Sequence, residues 1–182
     1  MVSREQGRRM VQGALAAHLL ATGLSQTSLR QLAKAARVSD RMLLYYYADK
    51  AEALSAAMAA VAAQLAAQLA AAMPGDALLA PRELVAAAAQ FTVRPETRPV
   101  MRLWIEVVAA AARGEAPFPQ LAWEIAAGFI GWAEARLDPA GLSDPRATAA
   151  GIIALIDGLA VVAVCADETL VQRAADQLAD LA

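Results

Sequence analysis

The chain is poor in the residues that chemistry most often uses. It has one cysteine, Cys165, and one histidine, His18. A single cysteine excludes an internal disulfide. So lone a His and Cys, far apart in the chain, make neither a nucleophile–base pair nor a set of metal ligands. There is no Gly-rich phosphate loop, and the acidic residues are scattered singly, so paired-carboxylate catalysis has no support. The expectation is no catalytic residue, no metal, no cofactor and no enzyme. Aromatic residues are only 5% of the sequence, and β-branched residues are sparse outside two short runs. No apolar stretch is expected to reach the length of a membrane span. The best candidate, Ala149 to Ala166, carries Asp157 in its middle and Gly151 and Gly158 besides. The residues near Met1 are charged (Arg4, Glu5, Arg8, Arg9), which predicts no secretory signal. These absences together predict a cytoplasmic protein with no membrane partner.

What abounds is alanine, the best helix former. Hydrophobic residues make up 59% of the 182, and an all-α fold of nine or ten helices follows. Arg4 to Ala21 reads as one helix with Met10, Ala14, Ala17 and Leu20 on its apolar face, stopped at Thr22-Gly23. Ser28-Leu29-Arg30-Gln31 has capping-box spacing, and Leu29, Leu32, Ala33 and Ala36 follow at helical intervals. Ser39 caps a second short helix after the turn Ala36-Arg37-Val38. Asp49-Lys50-Ala51-Glu52 opens a long helix to about Ala72, and Met73-Pro74-Gly75-Asp76 breaks it. Pro81 starts a helix to about Val93, and Pro95 and Pro99 frame another ending near Ala112. Further helices are expected over 120–137, 146–166 and 168–181.

The formal net charge of −2 hides an asymmetry: residues 1–50 carry +5 and residues 51–182 carry −7. A basic end on an acidic body suits a DNA-binding headpiece, because neutralised phosphates supply most non-specific affinity. Residues 28–47 have the order helix, three-residue turn, helix, which is the helix-turn-helix layout. On a helical wheel Leu43 and Tyr47 point inward with Val38, towards Leu32 and Ala36. Arg41, Met42 and Tyr45 point outward, with Leu44 and Tyr46 on the flanks. Arginine reaches base edges or phosphate, and tyrosine hydroxyls bind phosphate oxygens. Lys50 places a cation in the first turn of a helix, where it opposes the dipole and is better explained by a phosphate nearby.

Residues 24–54 run from Leu24-Ser25-Gln26-Thr27-Ser28 to Tyr45-Tyr46-Tyr47-Ala48-Asp49-Lys50-Ala51-Glu52-Ala53-Leu54. This stretch resembles the DNA-binding signature of the TetR family of transcription regulators. By that resemblance Arg30 reads a base from the first motif helix. Met42 and Leu44 match groove-facing positions, Tyr45 and Tyr46 flanking ones, and Lys50 a phosphate contact. With Ser28, Ser39 and Arg41 these residues form the expected DNA-binding set. Three residues depart from the family pattern. Arg37 replaces the usual turn glycine, Leu44 a usual tyrosine, and Asp40 puts a carboxylate at a helix start where phosphate would approach.

The resemblance implies a 1–50 helix-turn-helix domain on a 51–182 helical domain that binds a small-molecule inducer and dimerises. Two helices support the dimer in their own right. Leu121, Ile125, Gly128, Phe129 and Trp132 form one stripe, and Ile152, Leu155, Ile156 and Leu159 another. A helix this apolar all round is buried in a core or across an interface. The expected interface is Leu121, Ile125, Phe129, Trp132, Ile152, Leu155, Ile156 and Leu159. Candidate ligand contacts are Phe91, Met101, Trp104, Ile105, Val108, Phe118, Trp123 and Cys165, oriented by Arg102, Glu106 or Asp157, for a small and largely apolar ligand. The functional expectation is a homodimeric repressor of a palindromic double-stranded DNA operator. The alternative is a helical ligand-binding or adaptor protein whose headpiece no longer binds DNA.

Overall fold

The alanine-rich segments fold into nine α-helices and two short 3-10 turns in a computed structural model that describes residues 3–73 and 78–181. The expected break at 74–76 lies outside those residues. The helices are α1 (Arg4–Thr22), α2 (Leu29–Ala35), α3 (Asp40–Tyr46), α4 (Lys50–Ala72), α5 (Pro81–Thr92), α6 (Arg98–Ala112), α7 (Phe118–Glu134), α8 (Pro145–Cys165) and α9 (Glu168–Leu181). They form two compact units, one of Met1–Gln64 with Arg102–Ala122, the other of Leu65–Met101 with Trp123–Ala182. The headpiece unit therefore reaches past residue 50 into α4, because α1 and α4 are tied together: the Gln12 side-chain amide donates to the Ala56 carbonyl at 2.7 Å.

In the first unit the buried face of α1 is Val11, Leu15, Ala16 and Leu19, while Met10 is 67% exposed. This corrects the expected face of Met10, Ala14 and Ala17 by one position. Alanine makes both faces apolar, and the face with Val11, Leu15 and Leu19 removes more area from water. The capping box of α2 forms as its spacing implies. The Ser28 hydroxyl accepts from the Gln31 amide and the Gln31 side chain from the Ser28 amide. The helix ends in a Schellman motif: Val38 N–H donates to the Ala33 carbonyl at 3.0 Å and Arg37 N–H to the Lys34 carbonyl at 3.1 Å. That motif holds Arg37 at φ +55°, in the left-handed region that L-residues avoid.

In the second unit α5 packs against α8 and α9 and buries Leu84, Val85, Ala88, Ala89 and Phe91. Its start is the Pro81 turn, with Glu83 closing back on the Ala80 amide at 3.0 Å. α7 ends at Glu134 rather than near Leu137. There the backbone leaves the helix to pair with Leu79, whose N–H donates to the Arg136 carbonyl and whose carbonyl accepts from Asp138. By length and composition α4 and α8 are both long and apolar enough to cross a membrane. This corrects the expectation that no stretch reaches that length: a single Asp157 and two glycines in α8 do not offset its Ile, Leu, Val and Ala.

Replacing Arg37 by glycine removes the left-handed penalty but gives the unfolded chain more freedom. The expected net effect is a stabilisation of about 0.5–1 kcal/mol, read as a raised urea midpoint with an unchanged slope. A lowered midpoint would show that Arg37 is not strained.

Candidate nucleic-acid interface

α3 is only seven residues long, so its orientation rests on few contacts. Leu43 and, just past its end, Tyr47 are 0% and 1% exposed, against Leu32 at 0% and Ala33 at 1% in α2. The Ser39 hydroxyl accepts from the Met42 amide at 3.1 Å and fixes the start of the helix. With that face inward, Arg41, Met42, Leu44 and Tyr45 are exposed, as are Arg30 on α2 and Lys50 at the start of α4. Met42 and Leu44 are 43% and 45% exposed, apolar groups of the kind that can meet thymine methyls in a major groove.

The residues that hold this surface in place lie outside the motif. The Arg8 guanidinium stands 5.1 Å above the Tyr47 ring and pairs with Glu52 at 2.7 Å. The Tyr47 hydroxyl donates to the Arg8 carbonyl at 3.4 Å, and burial pushes its pKa up. Glu52 also accepts from the Ala48 amide at 2.6 Å, while Asp49 caps Glu52 N–H at 2.8 Å. One carboxylate thus joins α1, the end of α3 and the start of α4. The Arg4 guanidinium lies 4.8 Å over the Tyr45 ring and donates to the Tyr45 carbonyl at 3.2 Å. Tyr46 is half-buried, its hydroxyl against Gly7, where any Cβ would meet it. Tyr46 therefore supports the surface, and Tyr45 belongs to it. Sequence reasoning missed Arg4, Gly7 and Arg8 as supports, and saw in Glu52 only the start of α4. An isolated glycine inside a helix, which costs about 1 kcal/mol against alanine, was the one local sign of the close approach at Gly7.

The expected body residues fall in several places. Phe91 and Met101 share a cluster with Leu65, Leu69, Phe129 and Trp132. Phe118 is buried, Trp104 and Ile105 are half-buried, and Val108, Trp123 and Cys165 are exposed. The buried face of α6 is Leu103, Val107 and Ala110, so Trp104, Ile105 and Val108 flank it. Of the expected interface, Leu121, Ile152 and Leu159 are each only 4% exposed. Ile156, Phe129 and Trp132 pack inside the second unit's core clusters. Leu121, Ile152 and Leu159 thus spend nearly all their surface inside the chain, while Ile156, Phe129 and Trp132 stay partly exposed. Leu155 is exposed and Ile125 half-buried.

No protein-family model matches the sequence, and no curated protein matches it either. Solved structures do match in shape. One, from Rhodococcus sp. and described as a TetR-family transcriptional regulator, has a TM-score of 0.78 over 97% of this chain and 96% of its own, at 22% identity. The chain has the TetR-family fold. A transcriptional regulator from Saccharomonospora viridis, solved with choline, aligns over 97% of this chain and 95% of its own, with TM-score 0.69 and 16% identity. The multidrug binding protein EbrR, solved with imidazole, aligns over 94% and 88%, with TM-score 0.64 and 24% identity. In this TetR-type fold Asp40 and Leu44 lie exposed on α3, and Arg37 lies in the turn before it.

Ser39 separates two roles cleanly. Ser39→Ala removes the cap and is expected to cost about 1 kcal/mol in urea unfolding. Ser39→Asp keeps an acceptor, adds charge that suits a helix N-terminus, and is expected to match the parent. Equal losses in both variants would show that the hydroxyl does not act as the cap.

Proposed function

We propose that this protein is a TetR-type, homodimeric DNA-binding repressor, released from a palindromic operator by a small, largely apolar ligand. The observation that carries the reading is the outward face of α3. Arg41, Met42, Leu44 and Tyr45 stand exposed while Leu43 and Tyr47 are buried, so the helix presents base-reading and phosphate-binding groups together. Arg30 and Lys50 extend that surface on either side. DNA binding of this kind places the protein in the cytoplasm and calls for no catalytic group.

For the ligand, the aromatic cluster of Phe91, Met101, Phe129 and Trp132 supports the reading. The Trp132 indole N–H is buried and has no hydrogen-bond partner among the described residues. A buried donor of this sort is normally paired, and an acceptor on a bound ligand would pair it. Imidazole and choline in the structural neighbours agree with a ligand that is small.

For the dimer, α8 supports a second copy as the occupant of its outer face. Gly151, Ala154, Leu155, Gly158, Val161, Val162 and Cys165 recur at three- and four-residue steps and are all exposed. On α7, Trp123 at 63% exposure and Gly128 are exposed as well, as is Ala135 just past its end. A Cβ added at Gly128, Gly131, Gly151 or Gly158 would meet nothing within 4 Å. Apolar helices with open glycines allow another helix to approach closely, and a large exposed apolar face marks an interface. This stripe includes Leu155 of the expected set and runs beside Ile152, Ile156 and Leu159 on the same helix.

Two measurements test the reading. Arg41→Ala is expected to weaken binding to a selected duplex by about 1–3 kcal/mol, and Lys50→Ala to lower the salt slope by about 1, both with an unchanged urea midpoint. Binding at the parent level in both variants would overturn the assigned surface, and salt-independent retention of duplex would do the same. Leu155→Glu is expected to convert a sedimenting dimer to monomer. A dimer that survives the charge would move the interface elsewhere.

A further inference from the structure

Between α1 and the helix-turn-helix lies a short connector, residues 22–28, that sets where Arg30 and α2 stand. Much of its bonding is local. Thr22 Oγ1 donates to the His18 carbonyl at 2.9 Å, Ser25 Oγ to the Thr22 carbonyl at 2.8 Å and Thr27 Oγ1 to the Leu24 carbonyl at 3.1 Å. His18 Nε2 bonds the Gln26 carbonyl at 2.8 Å.

One bond comes from 82 positions further along the chain. The Leu24 N–H donates to Glu106 Oε2 at 2.6 Å, from the first turn of the 3-10 segment Gly23–Gln26, where amides have no partner within the helix. A carboxylate accepting there is charge-assisted and favoured by the local dipole. The fit is close on both sides. Gly23 has φ +63°, and a Cβ on it would lie 2.6 Å from Glu106 Oε2 and 2.8 Å from its Cδ. Glycine is thus required twice, by its own backbone and by the approaching carboxylate.

Glu106 lies on α6, whose first turn carries Val100 and Met101 in the cluster with Phe91, Phe129 and Trp132. A helix transmits displacement along its axis, and Glu106 is barely more than one turn beyond Met101. Glu106 was a candidate ligand contact in the sequence; its carboxylate instead holds the backbone of the headpiece.

We propose that Glu106 is the positioning residue through which α6 sets the helix-turn-helix, so that a shift of α6 reaches DNA through the Leu24 amide. This rests on the regulator reading above. It assigns a role in DNA affinity to a side chain that touches no phosphate, and it names one acceptor as the point where α6 acts.

The test uses the full chain, a duplex selected by the parent protein from a random-sequence pool, and amide hydrogen exchange without DNA. Glu106→Ala is expected to speed exchange of the 23–28 amides at least about tenfold while the interior amides of α1 and α2 keep their protection. It is also expected to weaken duplex binding about tenfold with the salt slope unchanged, since no phosphate contact is lost. Glu106→Gln keeps an oxygen acceptor and is expected to recover most of both. A merely structural loss would instead lower the thermal midpoint and loosen all three helices together. Parent-like exchange at 23–28, parent-like affinity in Glu106→Ala, or no recovery in Glu106→Gln overturns the proposal. Failure of the parent to select any duplex would overturn the regulator reading itself, and is distinct from a variant that binds as the parent does.

Discussion

The proposed recognition surface depends on the burial of two side chains. α3 is too short to be stable alone, since an isolated helix of this length does not form in water. It exists because Leu43 and Tyr47 are taken out of water where the helix packs on α2 and α1, and because Ser39 caps its first turn. Rotating the helix by one residue would bury Arg41 or Met42 and expose Leu43. The same burial that makes the helix therefore decides which groups face outward. Tyr47 adds a second constraint, since its ring lies under Arg8 and its end is fixed by the Arg8–Glu52 pair. These ion pairs are exposed and individually weak; their effect is to choose an orientation that burial alone leaves loosely defined.

The body solves a different problem with the same alanine-rich material. α5 lies against α8 and α9, and its large residues, Leu84, Val85 and Phe91, are interior. α8 is more apolar than its one buried face requires. Ile152, Leu159 and Ala160 satisfy the core, and the opposite stripe from Gly151 to Cys165 remains in solvent. Its hydrophobicity is more than that of single scattered exposed residues. In the proposed dimer a helix of the second copy would cover it, and the open glycines would set how near that helix comes.

Much of this was legible from local sequence. The Ser28–Gln31 box and the inward pair Leu43 and Tyr47 follow from spacing over a few residues, and Arg37 at φ +55° stands where the resemblance has glycine. The structure keeps all three. Faces of α1 and α8 were harder, because alanine is neutral between inside and outside. Val11 and Met10 compete as the apolar register of α1, and Ile152 and Leu155 as that of α8. Only the neighbouring helices decide between them. The long-range partners of Glu106 and Glu52 were not legible, since the Leu24 amide and the Arg8 guanidinium are brought to them from 82 and 44 positions away. Tyr46 was assigned to DNA by resemblance, and only its contact with Gly7 shows that it also supports α1.

The most direct test of the account is fluorescence anisotropy of the full chain against duplex from its own gene's upstream region, with a scrambled duplex as control and salt varied. The account predicts tight binding to the first, much weaker binding to the second, and a steep linear fall of log affinity with log salt. Failure to bind either duplex at low salt would contradict it, and would leave a helical ligand-binding protein whose outward α3 serves some other partner.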